Sequence, residues 1–289
     1  MVAAEAGARR EGSELPQALR YLVVAAVVAF WMALGFALHL TGVGVDYYLL
    51  LGVPISIAFQ GLIARRPLLD AWVRGSPSLR PDWVVAVVFV LLAIVPAYTA
   101  VMGFQARQWP LLLYGLAAIV GALGAAYAIR NARRPMTWQI PLCVVIVVVI
   151  GEGLTFLSGL LSGRILDISG RQRVVTAGYY FLLYIPALFM MEEVFFRGVL
   201  DTFIHERERR AGWLSALWIS ALWGIWHLPT VWHGGSTARI ALTVGDLLLG
   251  QIVIGIPLSM FWRRSGNLLV PGVAHALNDS IRNIITGLP

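Results

Sequence analysis

The sequence predicts an all-α fold, a polytopic transmembrane helical bundle of eight to nine spans. Three observations predict it. The chain has 289 residues, of which 59% are hydrophobic and 13% charged, whereas an ordinary soluble domain is roughly half apolar and about a quarter charged. Its mean hydropathy is +0.78. Long apolar runs recur along the whole length, each close to the ~20 residues that a helix needs to cross a bilayer. A soluble fold of this size could not hide so much apolar surface beneath a wet exterior. Intrinsic disorder is excluded for the same reason.

In chain order the runs fall at about 21–40, 47–63, 83–102, 109–129, 140–162, 177–200, 213–232, 241–261 and 268–285. The second is short and carries Pro54, and the ninth carries His275, Asp279 and Arg282. Pro96, Gly121, Gly124, Pro186 and Pro257 fall inside runs. They do not argue against helices, because neighbouring spans re-satisfy the freed backbone groups. The organisation expected is a cytoplasmic N-terminal tail over 1–20, five helices within 21–176, and a catalytic-type core over 177–289. The run after Arg20 is longer than a signal-peptide core and lacks a small-residue cleavage site, so it reads as a retained anchor. No internal repeat is visible, which counts against the inverted-repeat transporter architectures.

All 22 basic residues are arginine. Arg9, Arg10 and Arg20, then Arg65, Arg66, Arg74 and Arg80, then Arg130, Arg133 and Arg134 occupy one alternating set of loops. Arg207, Arg209, Arg210, Arg263 and Arg264 bring that set to fifteen. The other loops hold five, Arg107, Arg164, Arg171, Arg173 and Arg239, three of them in the misfit loop 163–176. Cytoplasmic loops carry the excess, so the N-terminus is expected inside and, with nine spans, the C-terminus outside. The net charge of +7 therefore reports topology rather than nucleic-acid binding. Cys143 lies within an apolar run, so neither a disulfide nor a cysteine metal site is available.

Ionisable groups inside a span cost about 2.5–3.5 kcal/mol each at its centre. The final third of the chain carries several. Glu192, Glu193 and Arg197 fall in the sixth run, Trp223 and His227 in the seventh, and His275, Asn278 and Asp279 in the ninth. Glu193 and Arg197 are four apart and share a face, as do His275 and Asp279. Glu192 sits about 100° around the helix from Glu193 and is free to point elsewhere. Trp223 lies one turn before His227 and can pack against its ring. Each group alone has a plain structural reading, as an ion pair or an interhelical clasp. Together, on three spans, they read as a buried polar site. His39 and His205 read as solvated, and His233 as a loop residue near an entrance. Glu152 and Asp246 are isolated acids whose spacing ties them to nothing.

These segments, in this order, resemble the CPBP family of intramembrane proteases, which includes CAAX endopeptidases and bacteriocin-processing and self-immunity proteins. Glu192, Glu193 and Arg197 match its Glu-Glu-x-x-x-Arg motif, and Trp223 with His227 its Phe-x-x-x-His motif, Trp replacing Phe. His275 and Asp279 match His-x-x-x-Asn/Asp, and the stretch Arg264 to Leu268 also looks family-like. The resemblance covers roughly 177–285.

The resemblance implies an intramembrane endopeptidase in which Glu192 and His227 activate a water. Glu193 and Arg197 orient Glu192, and His275 with residue 279 forms the oxyanion side. Asp279 is a donor only when protonated, and Asn278 is an alternative donor. Two pictures stay open. The site is metal-free, with no cofactor, or Glu192, His227, His275 and Asp279 ligate a divalent metal such as zinc. The expected partners are the bilayer and a membrane-embedded or membrane-anchored protein or peptide substrate, with no nucleic acid. A multi-pass protein of a bacterial plasma membrane is expected. The alternatives are a non-catalytic membrane immunity or scaffold protein and a transporter using the same buried polar residues.

Overall fold

A computed structural model describes residues 15–40, 46–75, 82–161, 171–205, 212–232 and 235–286. Arg9, Arg10, Arg80, Arg164, Arg207, Arg209, Arg210 and His233 lie outside the described residues, as does most of the 1–20 tail. The described residues are all-helical, and their only bridge pairing is the isolated one between Val73 and Asn267. The helices are α1 (Gln17–Leu40), α2 (Asp46–Leu50), α3 (Gly52–Ala58), α4 (Trp83–Gln105), α5 (Trp109–Arg130) and α6 (Met136–Leu161). There follow α7 (Arg171–Leu188), α8 (Thr202–His205), α9 (Trp213–Trp226), α10 (Thr237–Ser265) and α11 (Leu269–Thr286).

Five of these, α1, α4, α5, α6 and α10, are long and apolar enough to cross a membrane. Apolar side chains such as Leu91, Ile94, Val149, Phe156 and Leu242 lie exposed on them. Helices are the form expected, because lipid offers no partner for an unpaired backbone group. Their ends follow local chemistry. The Asp82 side chain accepts from the Val85 N–H at 2.9 Å to start α4. Gly266, in the left-handed region at φ +61, ends α10.

The remaining elements are shorter and more irregular. The second run divides into α2, α3 and a π-helical turn over Phe59–Ile63. The sixth run is not one helix. Helix α7 already begins at Arg171, so Arg171 and Arg173 belong to it rather than to a loop, and it ends at Leu188 just after Pro186. Residues 189–192 turn, and a π-helical segment over Val194–Asp201 continues into α8. Such π segments are frequent at functional sites. Trp72 Nε1 donates to the freed Phe189 carbonyl at 2.7 Å. Gly121 of α5 lies so close to Pro186 that an added Cβ would sit 1.9 Å from the Pro186 oxygen. Only a hydrogen fits between α5 and this break.

Arg263 and Asn267 supply further ties around it. Arg263 donates to both carboxylate oxygens of Asp201, at 2.9 and 2.5 Å, and to Ser215 Oγ at 2.7 Å. Asn267 Nδ2 donates to the Ala128 carbonyl at 2.8 Å, while its Oδ1 accepts from the Leu269 N–H at 2.9 Å. Around these lies an aromatic core in which Trp31, Tyr48, Phe195 and Trp226 interlock.

Candidate active site

Glu192 sits in the break itself and Glu193 directly before the π segment, so the two carboxylates leave the backbone differently from neighbours on a straight helix. A span-long straight helix would hold Glu192 near one end and His227, on the next run, near the other. The break removes that conflict. Glu192 Oε2 lies 3.9 Å from His227 Nε2, at the C-cap of α9, and accepts from Trp223 Nε1 at 3.2 Å.

Glu193 turns inward. Its Oε1 lies 3.2 Å from Arg197 Nη1 and 2.8 Å from His275 Nδ1. Among the described residues no nitrogen of Arg197 makes a hydrogen bond of good geometry, so the guanidinium is held by charge and by the face of Trp223, 4.2 Å from its Cζ. On the far side of the ring, His275 Nε2 lies 3.3 Å from Asp279 Oδ2. Asp279 Oδ1 lies 3.1 Å from Arg282 Nη1 and 3.4 Å from Asn278 Nδ2.

Accessibility divides the cluster into two layers. The side chains of Glu193, Arg197 and His275 are 0%, 0% and 2% exposed. Those of Glu192, His227, Asp279 and Arg282 are 15%, 21%, 14% and 37% exposed. A dry ionic base thus carries an open rim.

The hydrogen bonds also fix proton positions. His227 Nδ1 lies 2.8 Å from the Trp223 carbonyl, which only accepts, so Nδ1 carries the proton. In the neutral ring the Nε2 lone pair then faces Glu192. A neutral His275 has one N–H for two carboxylates. With both carboxylates ionised, its ring must be an imidazolium. Asp279 faces nitrogen atoms on three sides, from His275, Arg282 and Asn278.

The donor set does not suit a metal held by Glu192, His227, His275 and Asp279. Both nitrogens of His275 are engaged with carboxylates, leaving no lone pair for an ion. Among the described residues, no group of three His, Cys, Asp or Glu side chains converges as a ligand set.

The structure therefore brings together Glu192, Glu193, Arg197, His227, His275 and Asp279, with Trp223 and Asn278 beside them. His39 and Asp246 are exposed and stand apart. Two neighbours carried no motif. Arg282 is three residues after Asp279, and that spacing was its only signal. Glu152 of α6 has both carboxylate oxygens buried with no hydrogen-bond partner among the described residues and lies within electrostatic reach of Arg282 and Asp279. An acid inside an apolar span was the signal there.

Comparison with curated proteins and with solved structures gave no match. Residues 173–281 match the family model described as type II CAAX prenyl endopeptidase, Rce1-like. That stretch supplies both glutamates, Arg197, Trp223, both cluster histidines and Asp279. Over it the chain is similar to the Rce1-like endopeptidases, in agreement with the CPBP-type motifs.

Proposed function

We propose that this protein is an intramembrane endopeptidase that hydrolyses a peptide bond of a membrane-anchored protein or peptide. The observation that carries the proposal is the Glu192–His227 pair. At 3.9 Å the two groups are too far apart to bond each other. A water placed beside them reaches both at about 2.8 Å. The dry base beneath holds the carboxylates and guanidinium that would otherwise make such a site costly in lipid.

In this reading the water gives a proton to the Nε2 lone pair of His227 while Glu192 orients it and offsets the positive charge that forms. The water oxygen bonds to the substrate carbonyl carbon. The C–N bond then breaks, and the proton on His227 passes to the leaving amine. The oxyanion needs donors on the open rim. His275 and Asp279 face each other, so Arg282, the most exposed cation of the rim, takes that task. His275 holds Asp279, and Asp279 holds Arg282.

The apolar runs correspond to eight or nine membrane crossings with the N-terminus cytoplasmic, a multi-pass arrangement in a bacterial plasma membrane. The name of the matching family refers to prenylated substrates; the class proposed here is wider, a peptide presented at the membrane. The test is cleavage of a fluorogenic lipid-anchored peptide library by the purified protein in bilayers. Glu192→Gln should lower turnover by about 10²–10⁴-fold while thermal stability is kept. Unchanged cleavage by that variant overturns the reading.

A further inference from the structure

A second polar feature lies at the opposite end of the core elements. The end of α5, the start of α6, the end of α10 and the segment after Ala71 enclose a cavity of about 260 Å³. Arg74, Arg133, Arg263 and Arg264 line it, and among the described residues no acidic one does. Three helices long enough to cross a membrane begin or end there, which sets the cavity at the membrane–water boundary.

The four arginines are not equivalent. Arg263 is committed to Asp201 and Ser215. Arg74 is held in place, its guanidinium 5.1 Å over the Trp262 ring and its Nη2 3.4 Å from Thr202 Oγ1. Arg133 and Arg264 are exposed and have no ion-pair partner among the described residues. The mouth is framed by Gly75 and Gly266, both in the left-handed region at φ +68 and +61. The Arg74 N–H donates to the Gly266 carbonyl at 2.8 Å, joining the two walls. Like charges facing one small cavity repel unless an anion occupies it. Planar guanidiniums match the oxygens of a phosphate better than those of a monovalent halide.

We infer that this cavity is a phosphate site, filled by the phosphodiester of an anionic phospholipid or by free phosphate, and separate from the peptidase site. Basic pockets between spans at the membrane surface take such headgroups. The site is joined to the core through Thr202, which receives both Arg74 Nη2 and Trp262 Nε1 at the end of the π segment. Occupancy therefore braces the π segment that carries Arg197 and follows directly on Glu193.

The test is thermal unfolding of the full-length protein in neutral detergent at a fixed scan rate. Phosphatidylglycerol, phosphatidylcholine or inorganic phosphate is added to the wild type, to Arg133→Gln/Arg264→Gln, and to Arg107→Gln/Arg239→Gln as a control pair. Phosphatidylglycerol should raise the wild-type midpoint by about 3 °C or more. The control pair should keep that rise and the Arg133/Arg264 variant should lose it. Protection by phosphatidylglycerol alone assigns the site to lipid, and equal protection by inorganic phosphate assigns it to the free anion. Equal protection by phosphatidylcholine, no protection by either anion, or a full rise in the Arg133/Arg264 variant overturns the inference.

Discussion

Nδ1 of His275 lies 2.8 Å from Oε1 of Glu193, across 82 positions of sequence and with both side chains almost fully buried. This contact fastens α11 to the broken sixth run and fixes which way the ring faces. The other ring nitrogen then meets Asp279, and Asp279 meets Arg282. A chain of charged contacts thus leads from the dry interior to the open rim.

Removing His275 should break that chain at its middle. His275→Ala leaves Glu193 facing Arg197 alone and deprives Asp279 of a donor. Loss of one partner from a buried ionic network costs about 3–5 kcal/mol. Thermal unfolding and protein yield should both fall, and cleavage should fall with them. A variant as stable as the wild type would contradict the supporting role.

The two adjacent glutamates should separate cleanly. Glu192→Gln should lower kcat by about 10²–10⁴-fold, the usual contribution of a general base or its partner, with little change in midpoint. Glu193→Gln should lower the midpoint markedly, because Arg197 then stays buried without its counter-charge. Thermal scans run beside cleavage assays check both. The reverse pattern would exchange the two assignments.

Arg282→Gln should reduce kcat by about 10²–10³-fold with KM little changed, as expected for a donor that acts on the oxyanion. The double variant Arg282→Gln/Asp279→Asn should recover part of the loss, since the new amide supplies a donor where the carboxylate only accepted. Recovery in kcat rather than KM separates this role from a structural one.

Asp82 gives a pH prediction outside the spans. The backbone N–H of Val85 and then Arg130 hold its carboxyl below the ordinary value of 3.8. A carboxyl depressed on folding contributes stability that is complete above its unfolded value and is lost as pH falls through the folded one. Hydrogen exchange at the start of α4 should therefore accelerate as pH drops below about 4, after correction for intrinsic rates. Asp82→Asn, which keeps the cap but not the charge, should flatten that dependence.

Packing at the break is testable at Gly121. A Cβ there meets the Pro186 carbonyl at 1.9 Å, so Gly121→Val should cost about 1–3 kcal/mol through displaced backbone. A lower unfolding midpoint, with Glu192 and His227 unchanged, checks it.

Much of this architecture is legible in the sequence. Most of the apolar runs fall on helices, because backbone satisfaction in lipid leaves little choice; the second and sixth are interrupted. The i,i+4 pairs Glu193–Arg197 and His275–Asp279 form because helical spacing dictates them. The break after Leu188 is less legible, since Pro186 alone does not distinguish a kink from an end. Trp72 and Gly121, which support the break, are far away in the chain. Joining His275 to Glu193 rather than to Glu192 required the same tertiary information, as did the place of Arg282 and Glu152.

Trp223 stands where the family motif has phenylalanine, and its position gives the substitution a meaning. One face of the indole covers the Arg197 guanidinium at 4.2 Å, while its N–H holds Glu192 at 3.2 Å. The ring is an insulator between a cation and a carboxylate that would otherwise neutralise each other. Arg197 is thereby kept beside Glu193, and in the proposed reading the carboxylate of Glu192 is left to face a water.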